Sequence, residues 1–536
     1  MSHIGSPPCD AGQILRGAHA SPCPAVSRRW TLVAAILGSS MAFVDGTVVN
    51  VALPALQREL GASASQAQWI IESYSLFLAA LLLVGGALGD RLGRRRVFMA
   101  GAGLFSAASL ACALSGSAGQ LIAARAVQGV GAALLVPGSL SLISATFPQS
   151  QRGQAIGTWS AFSGITAAVG PVLGGFLIDH FSWHWAFLIN VPLGAVLLAI
   201  CAARVPESRG AAAEGRLDLW GAALATIGLA GIVYAFIEAP AQGWSAPVVM
   251  GAALVGVAGL ALFVAAEARS PAPMLPLRLL RIRDFAGTNL LTLLLYAALG
   301  GGLFYFPLDL IQVQGYGATA AGAAMLPFIA IMFLLSRWAG KLVDTWGPRL
   351  PLVAGPLVAA LGFALFALPS VGASYGLGFL PAVCTLGLGM AITVAPLTTT
   401  VMNSVGPELA GVASGVNNAV SRAAGLLAIA VFGMLMSAAF DAALAQKLSQ
   451  LQLPAGLHDA IEGQRHRLAA IVVPDGVDQA SASAIRQAVG EAFVAGFRRV
   501  MLACAALAAL SALSAWLLIE GRRDPADVRP APASPR

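Results

Sequence analysis

Charge is what this 536-residue chain has least of: 10% of its residues are Asp, Glu, Lys or Arg, while 58% are hydrophobic. Soluble globular chains carry about 25% charged residues. A soluble protein of this size with so few charges would expose too much apolar surface to stay dispersed. Cysteine is also scarce. Cys9 and Cys23 lie in the N-terminal tail and Cys112, Cys201, Cys384 and Cys504 in apolar segments, which argues against a disulfide framework. The few histidines are scattered. Asp179, His180 and His184 have helical spacing, but Trp183 and Trp185 stand beside them, the signature of an interfacial aromatic belt and not of a metal site. The chain lacks the clustered acids, histidines or metal motif of a lipid-modifying enzyme and the large soluble domain of a receptor. The formal net charge is +7, yet the positive charges are spread over many short loops, which fits membrane topology better than nucleic-acid binding. The alternating ten-residue stretches of barrel strands are missing as well.

What the chain does have is apolar windows of about 20 residues along its whole length, the mark of a polytopic helical membrane protein. Breaks at charges, Gly and Pro predict fourteen spans, at 31–54, 68–90, 97–116, 119–141, 154–178, 184–203, 217–237, 246–266, 284–307, 319–340, 350–369, 374–400, 409–437 and 493–519. Arginine is used heavily over lysine. Basic residues gather in alternate loops: Arg28 and Arg29, then Arg91, Arg94, Arg95 and Arg96, then Arg204, Arg209 and Arg216, then Arg278, Arg281 and Arg283, and finally Arg522 and Arg523. The positive-inside rule therefore puts both termini in the cytoplasm. SRRWTLV at 27–33 weakly resembles a twin-arginine signal, but the span behind it is too long for a signal h-region and carries Asp45, so the arginines read as a cytoplasmic flank.

An internal repeat is visible. GALGDRLGRR at 86–95 matches GKLVDTWGPR at 340–349, with Gly, Leu, Asp, Gly and Arg at identical spacing. Two six-span halves, 31–204 and 284–519, thus flank an insert of two spans at 217–267. Residues 1–30 and 520–536 form cytoplasmic tails, and 438–492 is a small external element broken by Pro454, Gly456, Pro474 and Gly476. Repeated halves with a site between them are a transporter architecture.

Several polar residues stand at membrane depth, where they are costly unless paired or wet. The first span carries Asp45 and Asn50, and Glu72 opens the second. Glu238 and Asp309 sit near outer span ends, where water would reach them. In the fourth span, Arg125, Gln128, Gly129 and Ala132 share one helix face. In the thirteenth, Ser414, Asn418 and Arg422 form a polar stripe at four-residue spacing, which serves equally as helix glue or as substrate contact. The fifth span reads GITAAVGPVLGG over 164–175. Its glycines build a small-residue stripe for close packing, and Pro171 removes a backbone hydrogen bond, which permits a kink. In GALGDRLGRRR, Asp90 can pair with nearby arginines or cap a helix start.

Together these stretches resemble the major facilitator superfamily, in particular its fourteen-helix drug/proton antiporters of the EmrB/QacA type, over about residues 30–520. GALGDRLGRRR, with Gly86, Asp90, Arg91, Gly93 and Arg94, is similar to the family's loop motif between helices 2 and 3. RAVQGVGAA is similar to the helix 4 motif, GITAAVGPVLGG to the helix 5 antiporter motif, DGTVVNVALP to the helix 1 motif, WHWAFLINVP to the helix 6 signature and VASGVNNAVSRAAG to the helix 13 segment. The resemblance implies an all-α polytopic membrane protein with the major facilitator fold, two six-helix halves plus two inserted helices. It implies a multi-pass protein of the cell membrane that works as a monomer, binds an amphipathic small molecule and protons, and needs no cofactor or metal beyond the proton gradient as energy source. A periplasmic adaptor is left open as a partner. By the same resemblance, Asp45 and Asn50 line or brace the central cavity and Asp45 handles protons or cations. Arg125 is the coupling arginine, and Gly164, Gly170, Pro171, Gly174 and Gly175 form the gate. The second loop motif carries Thr345, Trp346 and Pro348 in place of basic residues, which predicts weaker interactions. Helix 13 carries Arg422 where an acid would serve, so Glu72 and Asp309 become the candidates for a second proton site. The rival expectation is a narrow-specificity exporter or importer of a single metabolite on the same fold.

Overall fold

The computed structural model describes residues 25–209, 218–270, 273, 275, 277–405, 410–451, 453–474 and 476–520. The expected tails 1–24 and 521–536 lie outside the described residues, as do the basic residues between 210 and 217. Long helices follow the expected spans in order: α1 Ala25–Leu60, α2 Ala64–Leu92, α3 Arg94–Ala113, α4 Ala118–Thr146, α5 Gln149–His180, α6 Asn190–Arg204, α7 Leu219–Gln242 and α8 Pro247–Arg269. The second half continues with α9 Arg283–Leu308, α10 Leu326–Trp346, α11 Arg349–Phe366, α12 Leu380–Asn403, α13 Ala410–Gln450 and α14 Gln479–Leu518. A one-turn helix His184–Leu188 leads into α6, and a short helix Ala318–Ala323 leads into α10. Among the described residues, 12 helices are long and apolar enough to cross a membrane, or 13 when α2, bent by 52°, counts as one span. Helix α5 has 32 residues, long enough to cross, and several of its side chains lie outside the described residues.

Helices α1–α6 pack among themselves, as do α9–α14, while α7 and α8 pair with each other. Helix α7 also leans on both α2 and α13, through Val233 and Ile237 against Leu76, Leu426 and Ala430. Close packing inside the first half depends on small residues. A side chain on Gly129 would run into the Tyr74 carbonyl of α2, and one on Gly131 into the Phe105 backbone of α3. In a membrane, where lipid tails are as apolar as Leu, such close approach and its dispersion contacts drive helix association.

The expected external element 438–492 is smaller than its sequence breaks suggest. Helix α13 runs on to Gln450 over 41 residues and α14 starts at Gln479, so only a compact hairpin remains between them. At about 1.5 Å per residue, α13 is near 60 Å long, twice the hydrocarbon thickness. The reason is continued apolar periodicity: Leu444, Leu448, Ile485 and Val489 are buried against each other's helices, and Lys447 ion-pairs with Glu491. Asp478 caps α14 by accepting from the Ser481 amide at 3.0 Å. The Ser481 hydrogen bonds hold that carboxyl below the ordinary aspartate range.

The two copies of the loop motif share a backbone solution. Gly93 ends α2 with φ 114° and Gly347 ends α10 with φ 76°, a region L side chains adopt only under strain. Asp90 pairs with Arg94 at 2.7 Å, and the Glu207 carboxylate accepts from the amides of Arg95 and Arg96 at the start of α3. Arg91 is exposed. In the second copy Arg349 takes another route: it donates to the Trp516 carbonyl at 2.6 Å and lies 5.5 Å over the Trp516 ring.

Candidate functional site

The polar residues of the first half converge on Asp45. Its side chain is fully buried, at 0% exposure, and so is Arg125, at 1%. Arg125 Nη1 donates to Asp45 Oδ2. The other carboxylate oxygen accepts from Gln128 Nε2 at 2.8 Å and Asn190 Nδ2 at 3.2 Å. Gln128 and Asn190 both also donate to Ser109 Oγ, at 2.7 and 3.2 Å. Arg125 is held further by the Ile70 carbonyl at 3.0 Å, by Gln128 Oε1 at 2.7 Å and by the Tyr74 ring, whose centroid lies 4.2 Å from its Cζ. One side chain each from α1, α3 and α6 and two from α4 thus meet inside the half, with α2 supplying a carbonyl and a ring. Every partner is needed, because an uncompensated charge in this setting costs several kcal/mol.

Asp45 therefore braces the wall of the first half and does not line an open cavity. The helical period explains this. Phe43, Gly46, Thr47 and Asn50 are half-buried along one side of α1, while Met41, Ala42, Asp45, Val48 and Val49 turn inward. Asn50 is separate from the network; among the described residues its amide donates to the Gly46 carbonyl of its own helix, at 3.4 Å.

Glu72 is also fully buried, and neither carboxylate oxygen has a hydrogen-bond partner among the described residues. It stands one turn from Gln68, which donates to the Tyr305 hydroxyl of α9 at 3.0 Å. Glu72 is thus on the seam between the halves. Asp309, expected to be wet at an outer end, is instead 1% exposed in the wide turn after α9; one oxygen accepts from Gln314 at 3.3 Å and the other has no partner among the described residues. The turn folds back over it, which composition does not reveal. Glu238 is half-buried and accepts from Trp69 Nε1 at 3.1 Å. On α13, Asn418 is exposed and Arg422 half-buried. It is the neighbouring Asn417 that reaches α9, donating to Thr292 Oγ1 at 2.7 Å and Asn289 Oδ1 at 3.2 Å.

The fifth-span motif does two jobs. A side chain on Gly170 or Gly174 would meet Thr47 or Val48 of α1, and one on Gly175 would meet the Ala318 carbonyl across the seam. Gly322 in turn sits against the Pro171 carbonyl. Helix α5 runs through Pro171 without a break; the surroundings of Gly164 lie outside the described residues. Asp179 clamps the crossing. It accepts from the amides of Ala318 and Thr319 at 3.1 and 2.8 Å and from Thr319 Oγ1 at 2.6 Å. With Gln57–Gln312 at 2.8 Å and Gln68–Tyr305, these bonds tie the halves together on the side of the 451–478 hairpin. Trp183, read from sequence as part of an interfacial belt, is buried and donates to Glu59 at 2.9 Å. Sequence reasoning missed Ser109 and Asn190. Asn190 left a faint signal, an amide inside the apolar run AFLINVPLG; Ser109 left none.

A family profile described as Major Facilitator Superfamily matches residues 35–429. The multidrug resistance protein Stp of Mycobacterium tuberculosis is 34% identical over 91% of both chains. The tetracenomycin C resistance and export protein of Streptomyces glaucescens is 34% identical over 81% of this chain and 82% of that protein. Among solved structures, a bacterial homologue of the human lysosomal transporter Spinster, in an inward-facing and unoccupied conformation, superposes with a TM-score of 0.64 at 18% identity over 92% of this chain and 97% of that one. With the halves, the inserted helix pair and the buried Asp45–Arg125 site in place, this chain belongs to the Major Facilitator Superfamily and is a multi-pass membrane transporter, not an enzyme.

Proposed function

We propose that this transporter exports amphipathic drug-like molecules from the cytoplasm in exchange for protons, by alternating access and as a monomer. The observation that carries the reading is the Asp45–Arg125 pair: an intramembrane acid and base, sealed from both sides, that holds α1 and α4 together. A proton arriving from outside would neutralise Asp45, release Arg125 to its Ile70 and Gln128 acceptors, and let α1 shift against α4. Glu72, unpaired on the seam, is a second proton-accepting position. The fifth-span crossing supports a gate on the hairpin side, which this reading places outside together with cytoplasmic termini. Relatives named for drug resistance and export, such as Stp and the tetracenomycin C protein, support the direction. A periplasmic adaptor is not required by this mechanism. Narrow specificity is the second reading, favoured by relatives named for single compounds, such as the puromycin resistance protein of Streptomyces alboniger at 34% identity.

The test is proton movement in proteoliposomes loaded with a pH-sensitive dye, using a panel of amphipathic cations, anions and neutral antibiotics. Wild type should move protons out of the lumen as added compounds enter, so that the enclosed dye reports alkalinisation, and Asp45→Asn should not, while its unfolding transition stays cooperative. Normal proton-driven export by Asp45→Asn would overturn the role of Asp45. Response to one compound of the panel alone would favour the narrow reading.

A further inference from the structure

Three intramembrane charges of the first half are accounted for: Asp45 and Arg125 neutralise each other, and Glu72 can discharge itself by taking a proton. Arg422 cannot. A guanidinium stays protonated at any physiological pH, and among the described residues no carboxylate lies within ion-pairing distance of it. Its position is fixed by its helix. Helix α13 packs on α2 with Gly433 against Gln68 and Leu426 against Leu76, so the two helices run antiparallel. Arg422 is one turn before Leu426, away from the hairpin side on which Gln68 meets Tyr305. It is half-buried and within Coulombic reach of Tyr74, whose ring backs Arg125. Glu72, opposite the stretch near Ala430, lies two turns away along α13, roughly 12 Å. A lone cation at this depth is costly to keep and is retained where a partner arrives from solution.

We propose that the missing counter-charge is the substrate's: Arg422 recognises an acidic group, a carboxylate or an ionised phenol, so the preferred cargo is an amphipathic anion. The assignment rests on the export reading above and narrows it. The electrostatics agree. With Asp45 and Arg125 cancelling, Arg422 is the fixed positive charge of the α2–α13 contact, which attracts an anion and repels a lipophilic cation. The energetics differ as well. A proton moving in while an anion moves out carries positive charge inward twice, so membrane potential drives the exchange directly. One proton against one monovalent cation moves no net charge.

Two xanthene dyes of opposite charge test this: fluorescein, an anion, and rhodamine 6G, a cation, each taken up by everted membrane vesicles and measured by filtration. Wild type should concentrate fluorescein, faster when a valinomycin–potassium gradient makes the lumen positive. Arg422→Gln should raise the half-saturating fluorescein concentration by about tenfold or more, the loss of one charge-assisted hydrogen bond, with rhodamine 6G uptake undiminished. Arg422→Lys should restore part of the fluorescein transport, because it restores the charge. Rhodamine 6G transport without fluorescein transport by wild type overturns the anion assignment and leaves export standing. An equal fall for both dyes in Arg422→Gln also overturns it, since that is how a packing residue behaves. Failure of wild type to move either dye counts against the export reading and this assignment together.

Discussion

Consider removing Arg125 from its pair. Arg125→Gln strips Asp45 of its cationic partner and leaves a carboxylate at 0% exposure with two amide donors, Gln128 and Asn190. Breaking a buried pair from one side costs about 3–5 kcal/mol, and the Ile70 carbonyl loses its donor, adding about 1 kcal/mol. Asp45→Asn also breaks the pair from one side and leaves a buried guanidinium without a counter-charge, offset in part by its remaining partners. The guanidinium keeps Ile70, Gln128 and the Tyr74 ring, and an asparagine oxygen can still accept from Gln128 or Asn190. When both changes are combined no charge is left to bury, and the double variant should be more stable than Arg125→Gln alone. The expected coupling is about 3 kcal/mol, well above the ~0.5 kcal/mol within which independent sites add. The assay is reversible unfolding in mixed detergent micelles, followed by tryptophan fluorescence for wild type, both single variants and the double. Additive losses, or an Arg125→Gln protein as stable as wild type, would refute the buried pair as the organiser of this half. Transport should be lost in all three variants, which separates the pair's structural role from its coupling role.

Two further outcomes follow from the gate. Gly322→Val places a branched side chain against the Pro171 carbonyl, so the crossing on the hairpin side, proposed above as the outer gate, should fail to close; a cysteine introduced at Asn50 should then react from outside with a membrane-impermeant maleimide, where the same cysteine in an otherwise wild-type protein reacts slowly. Asp179→Ala removes three hydrogen bonds across the seam; because Asp179 is exposed their net worth is roughly 1–2 kcal/mol, which should raise outside labelling of that cysteine about tenfold, and unchanged labelling would show that the glycine crossing alone keeps the gate shut.

The chain's own composition and periodicity marked it as a helical membrane protein, predicted spans that the long helices follow in order, and pointed to two related halves around an inserted pair. Those properties are local. Twenty apolar residues in a row are a helix in lipid whatever surrounds them, because no other backbone arrangement satisfies its own hydrogen bonds there. The sequence also marked Asp45, Arg125 and Glu72 as unusual, since charge at membrane depth is conspicuous by itself. What it could not supply was pairing. That Asp45 faces inward to Arg125, and not across to a cavity, depends on which side of α1 meets α4, and a difference of one residue in rotation would reverse it. Asn417 took the contact with α9 that Asn418 could have made, for the same reason. Ser109 and Gly322 carried no signal, because a hydroxyl or a missing side chain gains meaning only from the atom opposite. Asp309 was dried by a turn folding over it, and the element expected at 438–492 shrank because α13 and α14 support each other through most of it. Each of these was decided by contacts between residues far apart in the chain, and only the tertiary structure brings those together.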